Sequence, residues 1–445
     1  MQTLLVANRG EIAARIIRTA AAMGITTVAV YSEADAELPF VADADVAVPI
    51  GPPAPAESYL DADAILAAAR QTGADAIHPG YGFLSESADF AERVMAAGLI
   101  WVGPPPAAMR AMGDKVAARN TMAAAGVPVA PGSDVPLHTA AEALAEAERI
   151  GYPVMVKASA GGGGIGMSVA GDPEELGAAF DTARSRAERF FADPALLVER
   201  FVASARHIEV QVLGLADGRV VALGERDCSV QRRHQKVAEE SPSPAVGQEL
   251  RERLRAIAVA AGEAVGYRNA GTVELLLDTA TGDVWFLEMN TRLQVEHPVT
   301  EMVTGLDLVA EQLRIAAGLE PTFGSEPPAP QGHALELRVY AEDPQRFLPR
   351  PGTITRWEEP NGEHIRVDAG YRAGNKVTPF YDPLLAKLVV WGDTREAMLA
   401  RARAAVAAFH VEGPKNNLPF FVELLAEHEF VSGDYTTGII GRMRA

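Results

Sequence analysis

The chain has 445 residues, enough for roughly two to four domains, and its 48% hydrophobic and 22% charged content is typical of a soluble globular protein. A net charge of -19 at pH 7 argues against general nucleic-acid binding, so any anionic ligand needs locally concentrated cations. Cys228 is the only cysteine, and neither a secretory signal nor an apolar run of about 18 residues is visible; we therefore expect a cytoplasmic protein with no membrane association.

Residues 1–102 alternate between short apolar runs and Ala-rich amphipathic stretches. This pattern predicts strands at 3–8, 26–31, 76–78 and 99–102, with helices at 10–23, 62–69 and 87–97. The alternation indicates an open, mostly parallel, Rossmann-like α/β sheet. The glycine fingerprint of dinucleotide-binding sheets is missing after the first strand, so the layout alone does not predict NAD binding.

A Gly- and Pro-rich loop, HPGYGFLSE at 78–86, follows the predicted strand at 76–78. Sheets of this kind often bind ligands at such loops. A structural turn explains the spacing equally well, and both interpretations stay open at this point.

A lysine followed by a glycine run marks the next part of the chain. A helix is predicted from 109 to about 125, and the predicted strand at 152–157 ends on Lys157, shortly before four consecutive glycines at 161–164. Such glycines let backbone amides curl toward a phosphate, although a flexible linker is the alternative, and no Walker A sequence is present. Only six of the 40 basic residues are lysines. A position that carries lysine instead of arginine therefore indicates a place where a compact, rotatable charge is needed.

Polar and charged side chains concentrate between 196 and 236. Strands are predicted at 196–202 and 207–213, and the second places His207, Glu209 and Gln211 on one face, which is either solvated or a wet site. The segment ERDCSVQRRHQK at 225–236 collects four cationic residues plus His234 in an acidic protein. Charge clusters are usually solvated loops, but this one also offers the positive patch that an anionic substrate requires.

After a predicted helix at 251–266, two strands form a predicted hairpin, at 272–278 and from 284 onward. If the second strand keeps its period of two, one face carries Val284, Phe286, Glu288, Asn290 and Arg292. Glu274 on the first strand could then lie beside Glu288. Two carboxylates and an amide suit Mg²⁺ or Mn²⁺, whereas the alternative is an exposed face with solvated charges.

The C-terminal third predicts a helix at 306–317, a Pro-rich linker at 326–330 and a strand at 332–340 with Glu336 and Arg338 on one side. Further strands are predicted at 352–357, 365–368 and 384–390, and a helix at 396–409.

Three long segments in order, at 78–86, 225–236 and 288–298 (EMNTRLQVEHP), resemble the biotin carboxylase family of ATP-grasp enzymes. The resemblance extends from ANRGEI at 7–12 to GPKNN at 413–417. It implies an N-terminal α/β domain at 1–112, a central ATP-grasp domain at 113–318 with a mobile lid at about 130–203, and a C-terminal mixed α+β domain at 331–440.

The family's chemistry implies ATP-dependent carboxylation of biotin through carboxyphosphate. Glu296 matches the general base that deprotonates bicarbonate, and Arg338 matches the residue that stabilises the enolate-like oxygen of biotin. The residues that match bicarbonate-holding positions are Lys236, Arg292, Gln294 and Val295.

The resemblance also implies a nucleotide site and a metal site. The matching ATP contacts are Lys115, Lys157, Gly163, Gly164, Glu199, Val202, His207, Gln231, His234, Glu274 and Glu288. Glu274, Glu288 and Asn290 match the metal ligands, and two Mg²⁺ or Mn²⁺ ions are expected. Ile165 stands where the family's glycine loop commonly has Arg or Lys. The resemblance does not decide whether this change weakens loop closure or ATP affinity.

No lysine follows a methionine, so biotin is expected on a separate carrier protein or on a domain of a longer carboxylase. The expected partners are that carrier and a carboxyltransferase subunit, and the family also includes homodimers. This chain would catalyse the first half-reaction of an acetyl- or propionyl-CoA carboxylase, as in fatty acid biosynthesis. Two alternatives remain: another ATP-grasp ligase, and a non-catalytic nucleotide-binding subunit.

Overall fold

A parallel α/β sheet forms the N-terminal part of the protein, whose computed structural model describes residues 1–159, 167–191 and 193–444. Its strands are β1 (Thr3–Val6), β2 (Thr26–Ser32), β3 (Val46–Gly51), β4 (Ala76–His78) and β5 (Ile100–Trp101), and its helices are α1 (Gly10–Ala22), α2 (Pro39–Asp43), α3 (Ala62–Thr72) and α4 (Ala88–Ala96). All neighbouring strands are parallel, in the order β3-β2-β1-β4-β5. The predicted open sheet is confirmed; β3, with several exposed residues and a proline, is absent from the prediction.

The strand order reverses between β1 and β4, so the loops that follow these two strands meet at one edge of the sheet. Asn8, just after β1, donates hydrogen bonds from Nδ2 to the carbonyls of Pro79 and Tyr81, both at 2.7 Å. His78 accepts a hydrogen bond at Nδ1 from the backbone N–H of Gly80, at 3.0 Å. These bonds hold the loop at 79–87 over the edge of the sheet.

Residues 106–200 add α5 (Pro106–Gly113), α6 (Lys115–Ala124), α7 (Ala140–Ile150) and α8 (Pro173–Phe191), with a small antiparallel sheet of β6 (Val154–Ala158), β7 (Ser168–Ala170) and β8 (Leu196–Arg200). The single helix predicted over 109–125 is wrong. Asp114 has extended backbone angles, and its side chain accepts a hydrogen bond from the backbone N–H of Ala117 at 2.7 Å. It therefore caps a new helix that starts at Lys115.

One antiparallel sheet joins the central and C-terminal parts of the chain. Its strands are β9 (Ala205–Gly214), β10 (Val220–Arg232), β11 (Gln235–Ser241), β12 (Asn269–Asp278), β13 (Val284–Asn290), β14 (His333–Tyr340), β17 (Ile365–Ala369) and β19 (Leu384–Gly392), in the order β13-β12-β9-β10-β11-β14-β19-β17. The pairing of β11 with β14 carries the sheet across the boundary predicted near residues 318–331. Strands from both parts therefore contribute to one continuous surface.

The remaining elements pack around this sheet. They are α9 (Gln248–Ala264), α10 (His297–Thr304), α11 (Leu308–Ala316), β15 (Gly352–Thr353), β16 (Arg356–Glu358), β18 (Lys376–Val377), α12 (Arg395–Ala408), β20 (His410–Glu412), α13 (Leu418–Leu424), α14 (His428–Ser432) and α15 (Ile439–Met443). Helix α10 is not in the prediction, because its eight residues include Pro298 and are too few to show a clear helical period. Among the helices of the described residues, none has the length and apolarity that crossing a membrane requires.

The predicted hairpin of β12 and β13 is confirmed, and Glu274 pairs directly with Glu288. The prediction that Val284, Phe286 and Glu288 share one face is wrong, because Leu275 pairs with Phe286 and Leu287 is an extra, bulged residue. After a β-bulge the alternation of side chains changes phase. Val284 and Phe286 pack in the apolar core, and Glu288 turns to the opposite face.

The cationic segment at 225–236 forms part of a β-hairpin and is not a solvated loop. It covers the end of β10, a two-residue turn and the start of β11, with Arg232 paired to Gln235. Arg233 and His234 form the turn with φ of 48° and 68°, the pattern of a type I′ hairpin turn. Arg226 is completely buried and donates to Glu209 and Gln211, so it is not part of a surface patch for an anionic substrate.

Candidate active site

Two adjoining cavities lie where the N-terminal loop, the β10–β11 turn and β12–β13 meet. The larger, of about 850 Å³, is lined among others by Glu86, Lys236, Arg292, Val295 and Arg338. The smaller, of about 380 Å³, is more apolar. They share a wall formed by Lys115, His207, Arg233, His234, Glu274, Leu287 and Glu288.

The carboxylates of Glu274 and Glu288 stand in this shared wall. Asn290 donates from Nδ2 to Glu274 Oε1 at 2.8 Å, and Lys236 Nζ donates to the same oxygen at 2.8 Å. His207 Nε2 lies 2.9 Å from Glu274 Oε2. Burial opposes ionisation of Glu274, but Lys236 and His207 outweigh it and lower the pKa of Glu274. The site therefore holds one firmly ionised carboxylate at the junction of the two cavities.

Glu288 is in the opposite situation. Burial and the neighbouring charge of Glu274 raise its pKa, and Lys115 offsets this only in part. A buried carboxylate pair of this kind repels itself unless a cation joins it. Two carboxylates with the amide oxygen of Asn290 form a hard oxygen donor set, which fits Mg²⁺ or Mn²⁺.

Glu296 lies directly behind the lining of the larger cavity, in contact with two cations that line it. Its carboxylate is fully buried at the N-terminus of α10 and accepts hydrogen bonds from Lys236 Nζ at 2.6 Å and Arg338 Nη2 at 2.9 Å. Burial opposes its ionisation, but Lys236, Arg338 and Arg226 lower its pKa well below the ordinary range. Glu296 is therefore ionised, and the two cations that hold it also face the cavity.

Arg292 lies beyond the end of β13, not on its regular face. Its Nε donates to Glu86 Oε2 at 3.0 Å, and its Nη2 donates to Asn290 Oδ1 at 3.1 Å. Gln294 donates from Nε2 to Glu274 Oε1 at 3.0 Å. The segment 290–296 thus runs along the cavity from the carboxylate pair to Glu296, with Val295 in the lining between them.

The predicted nucleotide contacts line the smaller cavity. Lys157 is paired with Glu199 at 2.5 Å, and Gln231 Nε2 lies 2.8 Å from His207 Nδ1. Burial lowers the pKa of Lys115, which also lies near Lys157. Val202 and His234 belong to the same lining. Gly163, Gly164 and Ile165 lie outside the described residues.

Several buried groups at the site are absent from the predicted set. The carboxylate of Glu209 lies 2.5 Å from Lys236 Nζ, the same atom that binds Glu274 and Glu296. The carboxylate of Glu239 lies 2.6 Å from Arg338 Nη2. The polar face of 207–211 was a signal for Glu209. Glu239 has no comparable sequence signal, because it follows Val237 and Ala238 in a plain strand.

Comparison with known proteins agrees with this geometry. The family model for the biotin carboxylase N-terminal domain matches residues 1–109, the model for the carbamoyl-phosphate synthase L chain ATP-binding domain matches 114–321, and the model for the biotin carboxylase C-terminal domain matches 336–442. A biotin carboxylase of Halalkalibacterium halodurans is 52% identical over 98% of this chain and 96% of that protein.

Solved structures give the same result. A biotin carboxylase–β-γ-ATP complex from Campylobacter jejuni has a TM-score of 0.97 at 42% identity, covering 99% of this chain and 98% of that one. The biotin carboxylase domain dimer of Hydrogenobacter thermophilus 2-oxoglutarate carboxylase, with MgADP, ADP and bicarbonate, has a TM-score of 0.95 at 42% identity, covering 99% and 97%. The fold and site define an ATP-grasp enzyme. Within that class, the chain belongs to the biotin carboxylase family.

Proposed function

We propose that this chain carboxylates biotin with ATP and bicarbonate, giving N1′-carboxybiotin, ADP and phosphate. The observation that carries the proposal is the run from Glu288 to Glu296, which connects the shared carboxylate wall to an ionised acid held by Lys236 and Arg338. Such a run brings a nucleophile next to the phosphate that it attacks, which removes much of the entropic cost of the reaction.

The smaller cavity is the proposed adenine and ribose side of the ATP site, and the shared wall is its phosphate side. Lys115 and Lys157 would contact phosphate oxygens, with Glu199, Val202, His207, Gln231 and His234 around the rest of the nucleotide. Glu274, Glu288 and Asn290 would hold the divalent ions, whose charge would neutralise the phosphates during transfer.

In the larger cavity, Glu296 would accept the proton of bicarbonate. Lys236 and Arg292 would hold the anion. The planar guanidinium of Arg292 matches the planar bicarbonate group. Bicarbonate oxygen would then attack the γ-phosphorus, and ADP would leave. The carboxyphosphate formed in this way would decompose to CO₂ and phosphate, and that phosphate would take the N1′ proton of biotin. The deprotonated N1′ would then attack CO₂ and form the new N–C bond of carboxybiotin.

Arg338 would stabilise the negative ureido oxygen that forms when biotin loses this proton. Biotin would arrive on a separate carrier protein or domain, and a carboxyltransferase would use the product; a homodimer is proposed because one solved relative is a domain dimer. An acetyl-CoA or propionyl-CoA carboxylase is the proposed holoenzyme.

The decisive experiment follows phosphate release from MgATP and bicarbonate with and without free biotin. Release that depends on both bicarbonate and biotin supports the proposal. Release that ignores biotin would indicate another ATP-grasp ligase, and no release despite measurable ATP binding would indicate a nucleotide-binding subunit.

A further inference from the structure

Two buried carboxylates behind Arg338 have no part in the mechanism above. Glu239 on β11 and Glu336 on β14 are direct cross-strand partners, so their side chains project on the same face of the sheet. Glu239 is 1% exposed and Glu336 is fully buried. Water therefore does not stabilise a negative charge on either group.

The two acids differ in their partners. Arg338 Nη2 lies 2.6 Å from Glu239 Oε1. Among the described residues, none donates a hydrogen bond of regular geometry to either acid, so the ion pair with Arg338 is what distinguishes Glu239 from Glu336. The side chains next to Glu336 on its face include Ala334 and Val389, which belong to a small apolar cluster with Val299 and Val303.

The cations around the pair are already engaged. Arg338 is shared between Glu239 and Glu296, and Lys387 lies 3.0 Å from Glu11. The other ionisable groups that face the pair are Lys236, which holds three other carboxylates, the buried thiol of Cys228 and the buried phenol of Tyr340. No cation is left to pair with an ionised Glu336 in the described part of the chain.

An unpaired buried carboxylate takes up a proton instead of remaining charged. We propose that Glu239 and Glu336 hold one proton and one negative charge between them, and that this charge fixes the guanidinium of Arg338 against Glu296. Glu239 and Glu336 are then positioning residues for the proposed carboxylation, on which this inference rests. The pair acts as a unit, because the proton on one acid depends on the other.

The direction of the pKa shifts agrees with this arrangement. Burial raises the pKa of Glu336 well above its ordinary range, and burial raises the pKa of Glu239 to about 7 despite Arg338. Above pH 7 Glu239 is therefore the charged member and Glu336 the protonated one. Below pH 7 both become neutral, and Arg338 keeps only Glu296 as its counter-charge.

Arg338 Nε has no acceptor among the described residues, although it is buried. The Nη2 atom is held by the carboxylates of Glu239 and Glu296, and Arg338 is one of the residues that line the larger cavity. The negative charge of the pair thus fixes the orientation of the guanidinium beside the cavity.

Infrared spectroscopy of the full-length protein at pH 8 tests the proton directly. We expect a carboxylic-acid carbonyl band that disappears in Glu336→Gln and persists in the control Glu240→Gln, whose carboxylate lies on the same strand and pairs with Arg395. The inference is overturned if the wild type lacks the band or if Glu336→Gln retains it. This readout needs no turnover, so it remains informative even if biotin-dependent phosphate release is absent.

Kinetics test the positioning role. Glu239→Gln should lower biotin-dependent kcat by about 10- to 100-fold at pH 7, because Arg338 loses a charged partner that fixes its position, with ATP affinity unchanged. Raising the pH should restore part of this activity in Glu239→Gln, since Glu336 can then ionise, but not in Glu239→Gln/Glu336→Gln. Identical pH profiles for the single and double variants would overturn the inference.

Discussion

Glu296 is held by Lys236 and Arg338, both of which line the larger cavity, so its charge is coupled directly to the cations of the site. Few groups could replace it. Glu209 and Glu274 are bound to the same lysine, but Glu209 is also committed to Arg226 and Glu274 stands in the carboxylate wall. The general-base role proposed for Glu296 rests on its contacts with Lys236 and Arg338, which line the larger cavity.

Glu296→Gln should bind ATP normally and lose roughly 10²- to 10⁴-fold in biotin-dependent turnover, the usual contribution of a general base. The amide keeps the shape but cannot accept the proton. Phosphate release and ATP titration measure the two effects separately. Glu301→Gln is the matched control, because Glu301 is a buried acid of the same helix that pairs with Arg15 and Arg366; equal losses in both variants would exclude a specific role of Glu296.

At the scale of elements, the site depends on contacts between segments far apart in sequence. The loop at 79–87 brings the carboxylate of Glu86 to Arg292. Glu86 Oε1 also accepts a hydrogen bond from the backbone N–H of Thr291 at 3.3 Å. The N-terminal sheet thus orients a side chain that follows β13.

Glu86→Gln should raise the KM for bicarbonate on the order of three- to tenfold, with a smaller change in kcat, because Arg292 loses a charged partner that fixes its position. Steady-state kinetics at varied bicarbonate measure this. Glu92→Gln, on α4 and paired with Arg110, is the control and should leave the KM unchanged. An unaltered KM in Glu86→Gln would show that Arg292 is held without it.

The sequence predicted most strands correctly, since strong alternation and apolar runs are local properties. The hairpin that sets Glu274 against Glu288 follows from such runs and the turn between them. The bulge at Leu287 was not predictable, because it depends on pairing with β12. The burial of Arg226 was likewise hidden, since its acceptors come from β9, β12 and α10.

Roles at the site came from the resemblance rather than from spacing, and they remain proposals for individual residues. What the pattern could not show is how charges are shared. Lys236 contacts three carboxylates from three different elements. No sequence window contains those partners together.

For the whole molecule, buried ion pairs connect the N-terminal sheet to the long antiparallel sheet. Lys387 on β19 is fully buried, lies 3.0 Å from Glu11 on α1, and donates to the carbonyl of Val295 at 3.1 Å. Arg9 forms its ion pair with Asp35 inside the N-terminal part and reaches the C-terminal part by donating a hydrogen bond to the Tyr371 hydroxyl at 3.0 Å. The docking of the N-terminal part thus depends on charges that are inaccessible to water.

Lys387→Met should lower the free energy of unfolding by about 3–5 kcal/mol, because Glu11 is left buried without its cation. Glu11→Leu/Lys387→Met should recover most of this loss. Denaturant unfolding of both variants measures the difference. Lys415→Met, which removes an exposed lysine paired with Asp343, should change stability little. A double variant no more stable than Lys387→Met would show that the loss comes from packing alone.

The bulge in β13 has a consequence for how this strand tolerates change. Because Leu287 is the extra residue, Phe286 and Glu288 lie on opposite faces, although they would share a face in a regular strand. If β13 paired regularly with β12 while keeping all its residues, Glu288 and Asn290 would turn toward the apolar core. Deleting Leu287 would instead remove the bulge and keep the direction of both side chains, so the strand tolerates loss of this residue better than loss of its neighbours.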